Sequence, residues 1–318
     1  MTKEQSKINL SSNSKVLVQG ITQPLGLYYA ARMKAYGTNV VGGVSTGQGG
    51  QTLHGIPIFD LVEQACHHVD AVDTTIIFEE SYQVKDVALE AIDAGIGQII
   101  LVTGSIPPLD MVELLAIAQA TKTIILGPSS SGIIVPGKVL LGTHESEFYT
   151  PGSVGLITRG SYLIYEVALG LTQANLGQSI AINLGSEAIV GSSFSHWLEV
   201  LEKDQATNVI VLIDQTGGGY EDVAAAAYIA QEIHKPVISY IAGRYTPETQ
   251  LIYNPSALAL THLPEAMSNM TKMSTAQEKV AVFKQGRIPV AERPSQIPIL
   301  VQKALDHWQE LIPNPITR

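Results

Sequence analysis

Five glycine- or hydroxyl-rich turns hold most of the residues in this sequence that have chemistry to offer. The first is LVQGITQPLG at 17–26, with Gly20 and Gly26 where a strand-like run meets a helix-like one. Glycines there let backbone approach a ligand, and the N–H groups of a helix start hold phosphate without any lysine or arginine. The spacing is not GxGxxG, and the following strand, 38–44, is not succeeded by the acidic residue that would hold an NAD ribose, so NAD is disfavoured. The second turn, VGGVSTGQGG at 41–50, has five glycines in ten residues after a strand. That density suits a loop covering a ligand. The third is Gly127-Pro128-Ser129-Ser130-Ser131-Gly132. The fourth and fifth, Thr158-Arg159-Gly160-Ser161 and Asp214-Gln215-Thr216-Gly217-Gly218-Gly219, each lead from a strand into a helix. Together they offer an anion site built from helix dipoles and backbone N–H groups. Each of the five also reads as an ordinary connection with no ligand.

No two of the eight histidines stand at a metal-ligand spacing. His67 and His68 are adjacent at a helix end, His196 beside Trp197 reads as packed, and His262 lies in a stretch rich in Pro, Ser, Thr and Asn.

The elements that must position these turns are read from hydrophobic periodicity. Strands are expected at 15–18, 38–44, 73–78, 98–103 and 123–126, with helices at 25–36, 58–67, 84–95 and 110–121. Short continuous apolar strands alternating with helices imply βαβ units and a parallel sheet covered on both faces. A polar stretch, HESEFYTPGS at 144–153, breaks the rhythm. It then restarts with strands at 153–158, 179–184, 208–213 and 236–241 and helices at 161–171, 193–203, 221–234 and 299–311. Residues 245–275 read as a long loop. The expected organisation is a polar tail over 1–14, one α/β domain over 15–147 and a second, flavodoxin-like one over 148–318.

Composition narrows the function classes. The 318 residues are 45% apolar and only 15% charged, with a net charge of −10, and both halves are negative. A nucleic-acid backbone or an anionic membrane is therefore not an expected partner. A single cysteine, Cys66, excludes an internal disulfide and a cysteine-rich zinc site. No run approaches the roughly 18 apolar residues of a membrane span, and the polar start has no signal core, so a cytoplasmic protein is expected.

The order of the motifs resembles that of the α-subunit of succinyl-CoA synthetase, in the acid–CoA ligase family, over nearly the whole chain. The resemblance is carried by VQGITQPLG, AYGTNVVGGVSTGQGG, GIPIFD, LEAIDAGI, IPPLDM, the Gly-Pro…Gly of 127–132, GLITRGSYLIYE, LEVLEKD, DQTGGGYEDVAAAAYI and KPVISYIAG, in that order. It implies a Rossmann-like CoA-binding domain followed by a flavodoxin-like ligase domain, coenzyme A or an acyl-CoA as cofactor, and phosphate as a further ligand. It also implies a β-type subunit or a homo-oligomer as partner. The implied CoA contacts are Gly20, Thr22, Gln23, Gly26, Ser45, Gln48, Phe78, Ser129 and Ser130. The implied anion site is Thr158, Arg159, Gly160, Ser161, Gly217 and Gly218.

The departures bear on activity. Asn254 stands where the family carries its phosphorylated histidine, and an amide is not a nucleophile for phosphoryl transfer. Gln215 stands where a glutamate orients that histidine, with Asp214 just before it. Gln48 replaces a basic residue of the glycine loop, and Glu79-Glu80-Ser81-Tyr82 replaces Val-Pro-Ala-Pro. Three readings are open: a catalytically degenerate CoA-binding homologue, an active ligase using a rearranged group such as His262, and a scaffold without enzymatic activity.

Overall fold

Leucine, isoleucine and valine runs become short strands buried on both faces, each leading into a helix. The computed structural model describes residues 10–160, 162–217, 220–245 and 275–311, without the side chains of 220–222 and 308–311. It divides into two compact units, Met1–Ser146 with Asn183–Ser192, and Glu147–Ile182 with Ser193–Arg318. Both are α/β.

In the first unit β1 (Val16–Gln19) leads into α1 (Pro24–Tyr36). Next come β2 (Val40–Val44), β3 (Thr52–Leu53), β4 (Ile56–Phe59), α2 (Val62–Val69), β5 (Thr74–Ile77), α3 (Val84–Asp93), β6 (Gln98–Leu101), α4 (Pro108–Thr121) and β7 (Ile124–Leu126). The strand order is β3-β4-β2-β1-β5-β6-β7, parallel except for β3 against β4. Val16 lies opposite both Val40 and Thr74, so β1 is the centre from which the chain winds both ways. Leu17, Ile77, Ile99, Leu101, Met111 and Leu114 form part of the core beneath the helices. Proline at the first turn of α1 suits a helix start, and Gly37 in the left-handed region ends it.

A hairpin of β8 (Gly132–Val135) and β9 (Val139–Gly142) completes this unit. The Thr38 hydroxyl donates to the Leu140 carbonyl at 2.7 Å and accepts from its N–H at 3.0 Å, tying the hairpin to the end of α1.

In the second unit the elements are β10 (Pro151–Thr158), α5 (Leu163–Gln173), β11 (Gln178–Asn183), α6 (Phe194–Lys203), β12 (Val209–Gln215), α7 (Tyr220–Glu232), β13 (Val237–Ala242), α8 (Ala276–Gln285), β14 (Val290–Ala291) and α9 (Ile297–Leu311). Its strand order is β14-β13-β12-β10-β11. The parallel pairing places Thr158 opposite Ile213 and Gln215 opposite Ala242. On α6, Phe194, Trp197, Leu198 and Leu201 form one buried stripe, and the Ser193 hydroxyl accepts from the His196 N–H at the N-cap.

The expected elements are corrected in four places. The helix expected over 58–67 is split: β4 occupies its start, because Ile56 and Ile58 alternate inward beside β2, and α2 begins only at Val62. The two hairpins, β3–β4 and β8–β9, are additions to the expected strands; segments of two to four residues carry too little periodicity to register. Most of the 245–275 stretch lies outside the described residues, and the chain from 275 to 296 is more than a bare connection to the last helix. It holds α8, started by a reciprocal cap between Thr275 and Glu278, and then β14. Finally, in place of one boundary at 147/148, the segment Asn183–Ser192 returns to the first unit. There the Gly191 N–H donates to the Gly127 carbonyl at 2.8 Å.

His144, in the polar stretch, is fully buried, with Nε2 3.1 Å from the Gly132 carbonyl and 3.4 Å from the Ser131 hydroxyl. Burial lowers its pKa from 6.5 to about 4, against the weaker opposing pull of the Gly132 carbonyl. The folded chain therefore keeps the imidazole neutral where the unfolded chain protonates it. Its stabilising effect is complete above pH 6.5 and is lost as the pH falls from there toward 4. In urea titrations the stability of the native chain should drop on going from pH 7 to pH 4.5 by roughly 2–3 kcal/mol more than that of His144→Leu, at about 1.4 kcal/mol per pKa unit. Equal pH dependence in the two chains would refute this.

Candidate ligand-binding and anion-binding sites

The first site lies at the carboxyl ends of β1, β2 and β5. Here the chain leaves β1 for one side of the sheet and later returns to the other, the position at which open α/β sheets form a crevice. Gly20 has φ +76°, its N–H donates to the Val44 carbonyl at 3.1 Å, and Gln23 returns to the Gly20 carbonyl at 3.0 Å. A Cβ on Gly26 would sit 2.0 Å from the Gly20 oxygen, so this glycine is what lets α1 seat directly on the turn. No side chain caps α1. The Thr22 and Ser45 hydroxyls meet at 2.7 Å on the exposed rim.

The glycine loop is ordered by Asp60, the last residue of the GIPIFD motif. Its Oδ1 accepts from the Gly47 N–H at 2.7 Å and the Gly49 N–H at 2.9 Å. A Cβ on Gly49 would lie 2.5 Å from Asp60 Oδ2. The N–H groups of Gln48, Gly50 and Gln51 go to the carbonyls of Ser45, Ile58 and Gln48. From Gly47 to Gln51, then, every backbone donor is spent inside the protein. What the loop offers a ligand is side chains: Ser45, and Gln48, whose Oε1 accepts from Gln51 Nε2 at 2.6 Å.

Carboxylates crowd the same edge. Gln23 Nε2 donates to Glu79 Oε2 at 3.3 Å, and a Cβ on Gly20 would lie 3.2 Å from the Glu79 carboxyl carbon. The Thr103 hydroxyl holds the Glu79 carbonyl at 2.6 Å. Glu187, on the returning segment, accepts from the Ser129 hydroxyl at 2.9 Å and the Ser105 N–H at 3.1 Å. No local pattern marks Glu187 as part of this edge; only the fold brings it there.

Of the remaining expected contacts, Ser130 is buried, its hydroxyl donating to the Asn183 carbonyl and accepting from the Gly132 N–H. Phe78 is buried and stacked on Tyr29, with ring centroids 6.3 Å apart.

The second site lies at the carboxyl ends of β10 and β12. The Thr158 hydroxyl is buried, with the residue 1% exposed, and has no hydrogen-bond partner among the described residues. Arg159, also buried, donates its backbone N–H to the Ile213 carbonyl at 2.9 Å. Tyr162 precedes α5 without capping it by its side chain. A Cβ on Gly160 would lie 3.2 Å from Gln215 Oε1, so the fourth and fifth turns do meet. Ser161, Gly218 and Gly219 lie outside the described residues, as do Asn254 and His262.

Asp214 is 3% exposed and faces inward. Its Oδ1 accepts from the Gln215 N–H at 2.8 Å and its Oδ2 from Lys279 at 2.7 Å. His196 packs edge-on against Trp197, and burial lowers its pKa. Among the described residues no group of three or more His, Cys, Asp or Glu side chains is placed to hold a metal ion, and no helix is long and apolar enough to cross a membrane.

Comparison with known proteins gives matches to both units. Residues 11–104 match the family model of a CoA binding domain, and residues 151–272 that of a succinyl-CoA ligase like flavodoxin domain. Subunit alpha 2 of the ADP-forming succinate–CoA ligase of Archaeoglobus fulgidus is 33% identical over 298 residues, which is 94% of this chain and 99% of that protein. The alpha subunit of malate–CoA ligase of Methylorubrum extorquens is 36% identical over 79% of this chain and 86% of its own. Among solved structures, ATP citrate lyase from Methanothrix soehngenii, in complex with citrate and coenzyme A, superposes on 97% of this chain with a TM-score of 0.78 at 18% identity. The chain spans 53% of that protein, and the likeness is one of fold.

Asp60→Ala removes the shared acceptor of two loop N–H groups. Amide exchange at Gly47 and Gly49 should speed up by at least tenfold, with a global loss of about 1–2 kcal/mol, since the carboxylate is only partly buried. Unchanged exchange at both amides would show that Asp60 does not order the loop.

Proposed function

This chain belongs to the family of succinate–CoA ligase α subunits, and we propose that it is a CoA-binding α-type subunit whose phosphoryl-carrying machinery has been lost. The first site fits the cofactor in two respects: the α1 start is uncapped by side chains, and Gly26 lets that helix close on the turn. Gly20, Thr22, Gln23 and Gly26 would hold phosphate oxygens there, Ser45 and Gln48 would contribute side-chain contacts, and Phe78 and Ser129 would line the path beyond. The Ser130 hydroxyl is committed inside the protein, which leaves this residue only its backbone to offer. When bound, coenzyme A supplies a thiol that accepts an acyl group. Glu79 adds negative charge beside these phosphate contacts and lowers the affinity for an anionic ligand.

The observation that carries the loss of phosphoryl transfer is the state of Asp214. With Gln215 in place of the orienting glutamate, Asp214 is the neighbouring carboxylate, and both its oxygens are already bound inside the protein. It is not available to orient a histidine at this turn. Asn254 at the nucleophile position removes the acceptor itself. The second site keeps features that favour an anion, namely the Thr158 hydroxyl, which has no hydrogen-bond partner among the described residues, and the α5 start without a side-chain cap. Binding of phosphate there thus outlives the covalent step. A β-type subunit is the partner that goes with an α-type role.

Two measurements test the proposal. Calorimetric titration of the chain should give micromolar binding of coenzyme A, and Glu79→Gln should tighten it several-fold; no heat at millimolar coenzyme A would overturn the cofactor assignment. Incubated with a succinate–CoA ligase β subunit and γ-labelled ATP, the chain should acquire no base-stable phosphohistidine. Labelling abolished by His262→Ala would instead establish an active ligase with a displaced nucleophile.

A further inference from the structure

Lys279 is fully buried, and its ammonium is surrounded by acceptors: Asp214 Oδ2 at 2.7 Å, the Gln215 carbonyl at 2.8 Å and the Gly217 carbonyl at 2.5 Å. An ammonium has three protons, and all three are used. Buried ion pairs of this kind are often replaceable by apolar side chains without loss of stability, so stability alone is a poor explanation for one. What this pair does locally is more specific. Asp214 holds the N–H of Gln215 and Lys279 holds its C=O, fixing the residue at both ends of its backbone. That fixes the direction of its Cα–Cβ bond, and the side chain lies against Gly160. Two carbonyl oxygens of the turn, those of Gln215 and Gly217, are drawn toward the ammonium. Left outward, they would repel an anion at this turn.

The lysine is itself held firmly. It lies in the first turns of α8, which is started by the Thr275–Glu278 reciprocal cap. Gln277 Nε2 donates to the Arg244 carbonyl, and the Arg244 guanidinium donates to the Ala291 carbonyl at 2.7 Å. Helix α8 thus sits against β13 and β14 and delivers its ammonium to the end of β12, 65 residues away in sequence.

We propose that Lys279 and Asp214 form a buried positioning pair for the anion-binding turn at Gly160 and Gln215–Gly217, orienting its backbone for a phosphate group without touching the ligand. This rests on the reading of that turn as an anion site. The test uses the full chain with inorganic phosphate as the probe, followed by calorimetry, and coenzyme A as an independent probe of the first unit. Lys279→Met leaves Asp214 buried and unpaired and invites misfolding. The double variant Asp214→Asn, Lys279→Met removes both charges of the pair together and keeps the fold measurable.

The wild type should bind phosphate saturably. The double variant, with unchanged circular dichroism and coenzyme A affinity within twofold, should bind phosphate at least tenfold more weakly. A folded double variant with wild-type phosphate affinity would overturn the proposal while leaving the anion site standing. Failure of the wild type to saturate with phosphate would overturn the anion-site reading, and with it the pair's role, before any substitution is made.

Discussion

In each unit the first strand has a neighbour on both sides, β1 between β2 and β5 and β10 between β11 and β12. Parallel strands need crossover connections, and these are right-handed almost without exception. A chain that winds one way from its central strand and then the other must leave its loops diverging at that strand's carboxyl end. The glycine turn at Gly20 and the turn at Gly160 occupy those two positions. The helices after these turns, α1 and α5, begin there without side-chain caps. In the reading proposed above, backbone N–H groups at these helix starts hold the anion without needing a basic side chain, which agrees with a chain whose net charge is −10.

A second constraint is hydrogen-bond accounting. Loops at the end of a sheet expose backbone donors and acceptors, and each must be bound by something. Here the protein often supplies the partner itself. Asp60 takes two donors of the glycine loop, Glu187 takes the Ser105 N–H and the Ser129 hydroxyl, and Lys279 takes two carbonyls of the β12–α7 turn. Such internal partners decide which groups remain for a ligand. At the glycine loop they leave side chains, and at the second site they leave a hydroxyl whose residue is 1% exposed.

The α/β class, the principal strands and the turns at their ends were legible because they depend on short-range features. Continuous β-branched runs such as TTII at 74–77 have few alternatives to a buried strand, and a Pro-Leu-Gly start after a glycine turn has few alternatives to a helix. The β3–β4 and β8–β9 hairpins were not legible, since so few residues carry no period. Helix α8 was also missed. It comes after a stretch crowded with proline and polar residues, and its helix start, Thr275 with Glu278, is a local signal that could have been read.

The sequence by itself determined the kind of fold, the family, and the absence of a histidine at position 254 and of a glutamate at position 215. These are matters of residue identity and local order. Only the tertiary structure decided how the charged groups are used. Nothing in the order of residues says that Asp214 turns inward to a lysine 65 positions later, that Asp60 fills the glycine loop, or that Glu187 returns to the first unit. A carboxylate's role is set by which donors come within about 3 Å of it, and those donors are brought there by strand pairing and helix packing across the chain.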